Sequence, residues 1–165
     1  LIQVYTGSGK GKTTAAFGLA LRAAGAGKKI YICQFLKGRC YSEESALEKL
    51  RNIRVERFGT TCLIRKKPSA KDILLAKKAL TQAKKALKKF DLIILDEINV
   101  ALKLKLLGVD DVLNLLKRAP RKTELVLTGR YAPKEILKAA DLVSEVKEVK
   151  HYYQKGVRAR RGIEF

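Results

Sequence analysis

A chain of 165 residues, 47% of them hydrophobic, is long enough to bury a core as one domain and has the apolar content of an ordinary soluble globular protein. Its 36 lysines and arginines against 16 acids leave a formal charge of +20, a field that favours anionic partners such as nucleic acid, acidic membranes or polyphosphates. Three classes are set aside at once. No apolar run approaches the ~20 residues of a membrane span, His151 stands alone and builds no His-based metal site, and Cys33, Cys40 and Cys62 are odd in number without C-x-x-C spacing.

Leu1 to Tyr5 alternates and is β-prone, and the helical pattern from Thr13 to Ala26 places Ala16, Leu19, Ala20 and Ala23 on one face. Between them runs Thr6-Gly7-Ser8-Gly9-Lys10-Gly11-Lys12-Thr13, a glycine-rich turn from strand to helix ending Gly-Lys-Thr. That is the layout of a phosphate-binding loop, a variant because Thr6 stands where the strict pattern wants glycine. Small residues let backbone N–H groups approach phosphate oxygens at a helix N-terminus. Lys12 supplies a point charge and the Thr13 hydroxyl a ligand for Mg²⁺. The alternative, a β-to-α turn that binds nothing, does not account for the Gly-Lys-Thr ending in this context.

Gly25 and Gly27 stop the first helix, and Lys29 to Phe35 reads as a second strand, apolar as in a sheet covered on both faces. A loop over residues 36–41 carries Lys37, Gly38 and Arg39, Ser42 to Leu50 is a short helix, and Arg54 to Phe58 a third strand. After an irregular basic loop, Ser69 three residues before Asp72 is the signature of a capped helix start. Ile73, Ala76, Leu80, Ala83, Leu87 and Phe90 form its stripe, with lysines 77, 78, 84, 85, 88 and 89 on a wet face. Leu92 to Leu95 is a fourth strand running into Asp96-Glu97. An acid pair at the end of an apolar strand, downstream of a phosphate loop, matches the Mg²⁺ side of a P-loop site. The same two acids also suit a helix N-terminus.

Helices follow at about 100–107 and 110–118, then a strand over 124–128 ending in Gly129-Arg130, a helix over 133–139 and a sixth strand over 142–149. The basic tail from His151 resists assignment. Strands alternating with helices predict an α/β fold, a three-layer, doubly wound, mainly parallel sheet of P-loop NTPase type (RecA-like), as one domain over residues 1–165. Ligands on such sheets bind beyond the carboxyl ends of the strands. The phosphate loop, residues 34–38, Asp96-Glu97 and residues 128–130 then meet on one edge.

In this order the chain resembles the P-loop ATP:corrinoid adenosyltransferases over nearly its whole length. The resemblance is carried by Thr6 to Ala16, Gln34-Phe35-Leu36-Lys37-Gly38, Leu95-Asp96-Glu97, Leu127-Thr128-Gly129-Arg130 and Ala140 to Glu145. It continues through Lys150-His151, Gly156-Val157, Ala159 and Gly162-Ile163. It implies attack of a reduced Co(I) corrinoid, cobalamin or cobinamide, on the 5′ carbon of ATP, with triphosphate leaving. It further implies Lys12, Thr13 and Glu97 as catalytic residues and Thr13, Glu97 and Asp96 about Mg²⁺. The nucleotide would be held by Gly7, Ser8, Gly9, Lys10, Gly11, Lys12, Thr13, Thr14, Arg22 and Arg130, although Arg22 also reads as a surface salt-bridge residue.

A cytoplasmic homodimer served by a flavoprotein reductant, without membrane or specific nucleic-acid partners, belongs to the same expectation. Some relatives cover the corrinoid with aromatics in the loop after the third strand. This chain has Thr60 and Cys62 there, with Phe58 and Leu63 as the nearest substitutes. An ordinary P-loop ATPase or kinase, and a basic nucleic-acid-binding module, are the competing readings. Lysines spread along helices without aromatic-basic clusters argue against the latter.

Overall fold

The computed structural model describes residues 1–38, 41–60 and 67–165. Six strands, β1 (Ile2–Thr6), β2 (Ile30–Phe35), β3 (Ile53–Phe58), β4 (Leu92–Asp96), β5 (Glu124–Thr128) and β6 (Leu142–Glu145), form one sheet in the order β3-β2-β4-β5-β1-β6. Every pairing is parallel, so the mainly parallel expectation becomes wholly parallel. The connecting helices are α1 (Lys12–Gly25), α2 (Ser42–Leu47), α3 (Ala70–Ala86), α4 (Ile98–Lys103), α5 (Val109–Lys117) and α6 (Lys134–Ala139).

The two-residue period of a strand divides the core in two. Ile30 and Ile32 of β2, Leu92 and Ile94 of β4 and Val126 of β5 pack against Ala16, Phe17 and Ala20 of α1 and Leu47 of α2. Tyr31, Cys33 and Phe35, Ile93 and Leu95, and Leu125 and Leu127 face the other way, onto α3, α4, α5 and Ile136 of α6. Helices therefore cover both faces, the P-loop NTPase-like three-layer arrangement. The central strands are apolar in both phases because neither face meets water.

α3 starts where its capping pattern places it. Ser69 Oγ accepts from the Asp72 N–H at 3.3 Å, and the Asp72 carboxylate accepts from the Ser69 N–H at 2.9 Å. Two boundaries move. β6 ends at Glu145 rather than 149, because its sole partner strand, β1, turns into the phosphate loop after Thr6 and leaves no ladder to extend. The tail, unassigned from sequence, contains a short 3₁₀ turn at Tyr152–Lys155. No described helix is long and apolar enough to cross a membrane.

With all strands parallel, their carboxyl ends share one edge. β5 lies between β1 and β4, so one strand separates the phosphate loop from the acid pair.

Candidate active site

β1 delivers the chain into the loop and α1 receives it, with Gly11 as N-cap at φ 118°, a left-handed conformation that glycine adopts without strain. The Gly11 carbonyl accepts the first helical bond, from the Ala15 N–H at 2.8 Å. Gly7 and Gly9 have a further reason to lack side chains. A Cβ on Gly7 would stand 2.4 Å from the Val146 carbonyl oxygen, and one on Gly9 2.8 Å from the Lys147 carbonyl. The chain leaving β6 is pressed against the loop, and the Gly9 N–H donates to the Val146 carbonyl at 2.7 Å. That amide is engaged by protein, so smallness at Gly9 serves backbone packing rather than phosphate approach.

Lys12 is buried and donates to the loop's own carbonyls, Gly7 O at 2.8 Å and Gly9 O at 2.6 Å. Burial pushes its ammonium pKa down and Arg130 adds to that, while Glu97 opposes both. Lys10 reaches the other way, donating to the Ile163 carbonyl at 2.8 Å, and Ser42 donates to the Phe165 carbonyl at 3.1 Å. The tail thus returns to the mouth of the loop.

Asp96, at the end of β4, is completely buried. One carboxylate oxygen accepts from the Thr13 hydroxyl at 2.9 Å and the Thr128 hydroxyl at 2.7 Å. The other accepts from Gln34 Nε2 at 3.1 Å and lies 3.0 Å from Lys37 Nζ. Burial alone would raise its pKa. The Lys37 charge and the hydrogen bonds from Thr128 and Gln34 outweigh that and hold the carboxyl below its ordinary value. Thr128 spans the intervening strand, donating to Asp96 and accepting the Glu97 N–H at 2.9 Å.

Glu97 sits in the left-handed region at φ 63°, in the N-cap position of α4 but without a capping hydrogen bond. Its carboxyl lies against Gly129, where a Cβ would stand 3.2 Å from Oε2. Burial and the neighbouring Asp96 charge raise its pKa, against Lys37, Lys12 and Arg130. Two carboxyls a residue apart are thus driven in opposite directions by what surrounds them. The donor set of Thr13, Asp96 and Glu97 is all oxygen, which suits a hard cation such as Mg²⁺. Gln34 Oε1 and Asn99 Oδ1 are buried acceptors without partners, the condition that a hydrated cation or a nucleotide hydroxyl would relieve.

Most sequence-selected residues converge here. Gly7 to Thr13 form the cradle, with Thr14 exposed on the first turn of α1, and Arg130 follows β5 close enough for its charge to act on both Lys12 and Glu97. Arg22 does not join them. It lies ten residues beyond Lys12, roughly 15 Å along the axis, exposed in the last turn of α1. Thr60 donates to Asp72 at 2.8 Å, at the start of α3, and Phe58 is packed in the core rather than presented to a ligand. Arg39, Cys40, Cys62 and Leu63 lie outside the described residues.

Not singled out from sequence as site residues were Gln34, Lys37, Thr128, Asn99 and Val146. The stretches Gln34 to Gly38 and Leu127 to Arg130 marked the first three. Nothing local marked Val146.

Comparison with known proteins agrees with this geometry. A family model described as ATP:corrinoid adenosyltransferase BtuR/CobO/CobP matches residues 1–165. A corrinoid adenosyltransferase of Sinorhizobium sp is 35% identical over 177 residues, covering 100% of this chain and 80% of its own. That of Escherichia coli K12 is 35% identical over 167 residues, covering 100% and 85%. The corrinoid adenosyltransferase CobA of Salmonella typhimurium is 34% identical over 167 residues, with the same coverage. The chain belongs to the ATP:corrinoid adenosyltransferase family.

Proposed function

We propose that this protein transfers the 5′-deoxyadenosyl group of ATP to a reduced Co(I) corrinoid and releases triphosphate. The observation that carries the proposal is the 2.9 Å bond from Thr13 at the head of α1 to Asp96 at the end of β4. It joins the phosphate loop and the acid strand into one polar site at the sheet edge.

The cobalt of the substrate is already a strong nucleophile, and the reaction needs no protein base to activate it. What remains is to neutralise a departing polyanion and to align cobalt, carbon and oxygen. Lys12 is placed for the first task, since its ammonium can exchange the loop carbonyls for phosphate oxygens without leaving the cradle. The Thr13 hydroxyl gives its proton to Asp96 and keeps its lone pairs free. Thr13, Glu97 and Asp96 are the residues that would hold Mg²⁺, whose charge would further stabilise the triphosphate. Arg130 adds a cation on the far side of Glu97. Delivery of the electron by a flavoprotein, assembly as a homodimer and a cytoplasmic location are part of the same proposal and rest on the family resemblance.

Anaerobic incubation with ATP, Mg²⁺ and chemically reduced cobalamin tests the reading. The expected result is the light-sensitive spectrum of an adenosylated corrinoid, with triphosphate in equal amount. Release of diphosphate without the adenosylated product would mean an ordinary ATPase or kinase.

A further inference from the structure

Lys37 has no part in the mechanism above, yet it is the most constrained cation in the molecule. Its ammonium is 3.0 Å from Asp96 Oδ2 on a side chain only 10% exposed, 4.7 Å from the Tyr41 ring centroid and 5.8 Å from that of Phe17. The backbone beneath it is fixed. Leu36 adopts φ 64°, and Gly59 packs so closely that a Cβ there would meet the Lys37 nitrogen at 2.5 Å.

Three observations concern what this cation displaces. Asp96 receives four donors, two on each oxygen, so a metal ion can reach it only if one withdraws. Thr13, Thr128 and Gln34 are short neutral groups rooted in α1, β5 and β2, whereas Lys37 ends a flexible four-carbon stem. Among the described residues, no group of three or more His, Cys, Asp or Glu could hold a metal. Asp96 and Glu97 alone are therefore an incomplete site that needs oxygens from the nucleotide. Finally, Lys37 acts electrostatically on Glu97 as well as on Asp96, which places one positive charge beside both acids.

We propose that Lys37 is an internal stand-in for the divalent cation. It fills the seat beside Asp96 and Glu97 while nucleotide is absent and gives it up, swinging outward along the Tyr41 ring, when the metal arrives with ATP. The inference rests on the reading of this site as a magnesium-nucleotide site. Its consequence is that the protein ignores free divalent ions and takes them only with nucleotide.

Mn²⁺ binding followed by electron paramagnetic resonance, without nucleotide, measures this directly. Wild type is expected to bind weakly, and Lys37→Met, which keeps the stem, at least about tenfold more tightly, because a charge in the seat itself is removed. Lys37→Arg should stay weak. Lys10→Ala, which removes an exposed and screened charge from the same loop, should change the affinity by less than about threefold. Far-ultraviolet circular dichroism checks that each variant is folded, and Lys37→Gln replaces Lys37→Met if the latter is not.

Unchanged or weaker Mn²⁺ binding in the folded neutral variant would overturn the proposal, as would an equal gain in Lys10→Ala. Wild type is assayed for adenosylcobalamin alongside. A failed Mn²⁺ series with intact product formation refutes the exchange alone, and missing product with the Mn²⁺ series as expected refutes the adenosyl-transfer reading instead.

Discussion

Asp96 and Glu97 are adjacent acids with opposite fates, and both fates can be measured. The Glu97 carboxyl is raised above its ordinary value, so the native state holds that proton more tightly than the unfolded chain does. Stability then falls as pH rises from the ordinary carboxylate range through the raised native value, and the cost is complete above it. Glu97→Gln is expected to melt higher than wild type at pH 7, in chelator and without ligand, with the gap closing toward pH 4 in a fluorimetric melting series. Asp96 has the reverse sign: its stabilisation is present above the ordinary carboxylate range and lost as pH falls through its lowered native value.

Asp96→Asn leaves Lys37 buried without a counterion and is expected to cost about 3 kcal/mol in urea unfolding. Lys12→Ala should abolish adenosylated product in the spectroscopic assay while retaining the native circular dichroism spectrum, since its loop contacts are two hydrogen bonds to carbonyls near solvent. Near-normal turnover in that variant would remove Lys12 from the mechanism.

At the scale of elements, the tightest junction is between the phosphate loop and the chain leaving β6. Gly9→Ala introduces a Cβ against backbone that cannot retreat and is expected to cost roughly 2 kcal/mol and to speed proteolysis of the tail. Gly18→Ala is the matched control. Gly18 is exposed inside α1, a Cβ there would meet nothing within 4 Å, and this change should stabilise by about 0.5–1 kcal/mol.

The contrast also marks what sequence can carry. Strand and helix periods located every element of the sheet, because apolar spacing and Ser69–Asp72 capping are local signals. The loop, Asp96-Glu97 and Arg130 were legible for the same reason: their chemistry is written in consecutive residues. The Lys37–Asp96 pair joins positions 59 apart, and the Gly9–Val146 bond joins positions 137 apart. No periodicity announces such pairings. Arg22 shows the converse, a residue suggested by family likeness that helix geometry carries to the far end of α1.

For the molecule as a whole, the +20 charge is distributed rather than aimed. The α3 lysines at 77, 78, 85, 88 and 89 are exposed and far in sequence from the loop, forming a solvated face rather than a groove. Retention on a heparin column is therefore expected to collapse steeply with salt, whereas adenosyl transfer at saturating substrate should change far less across the same range. Parallel loss of both would tie the surface field to the reaction.

The placement of β1 has a consequence for how the protein comes into being. Ile2 is registered with Leu125, and Gln3 with Val126 and Leu142, so the first strand finds both its neighbours only among residues made more than a hundred positions later. On the ribosome, the amino-terminal segment must wait, unpaired, for nearly the entire polypeptide to emerge. Contacts this distant make for slow folding. Nascent chains stalled before residue 120 should therefore gain no protease resistance from ATP, and chains released beyond residue 150 should.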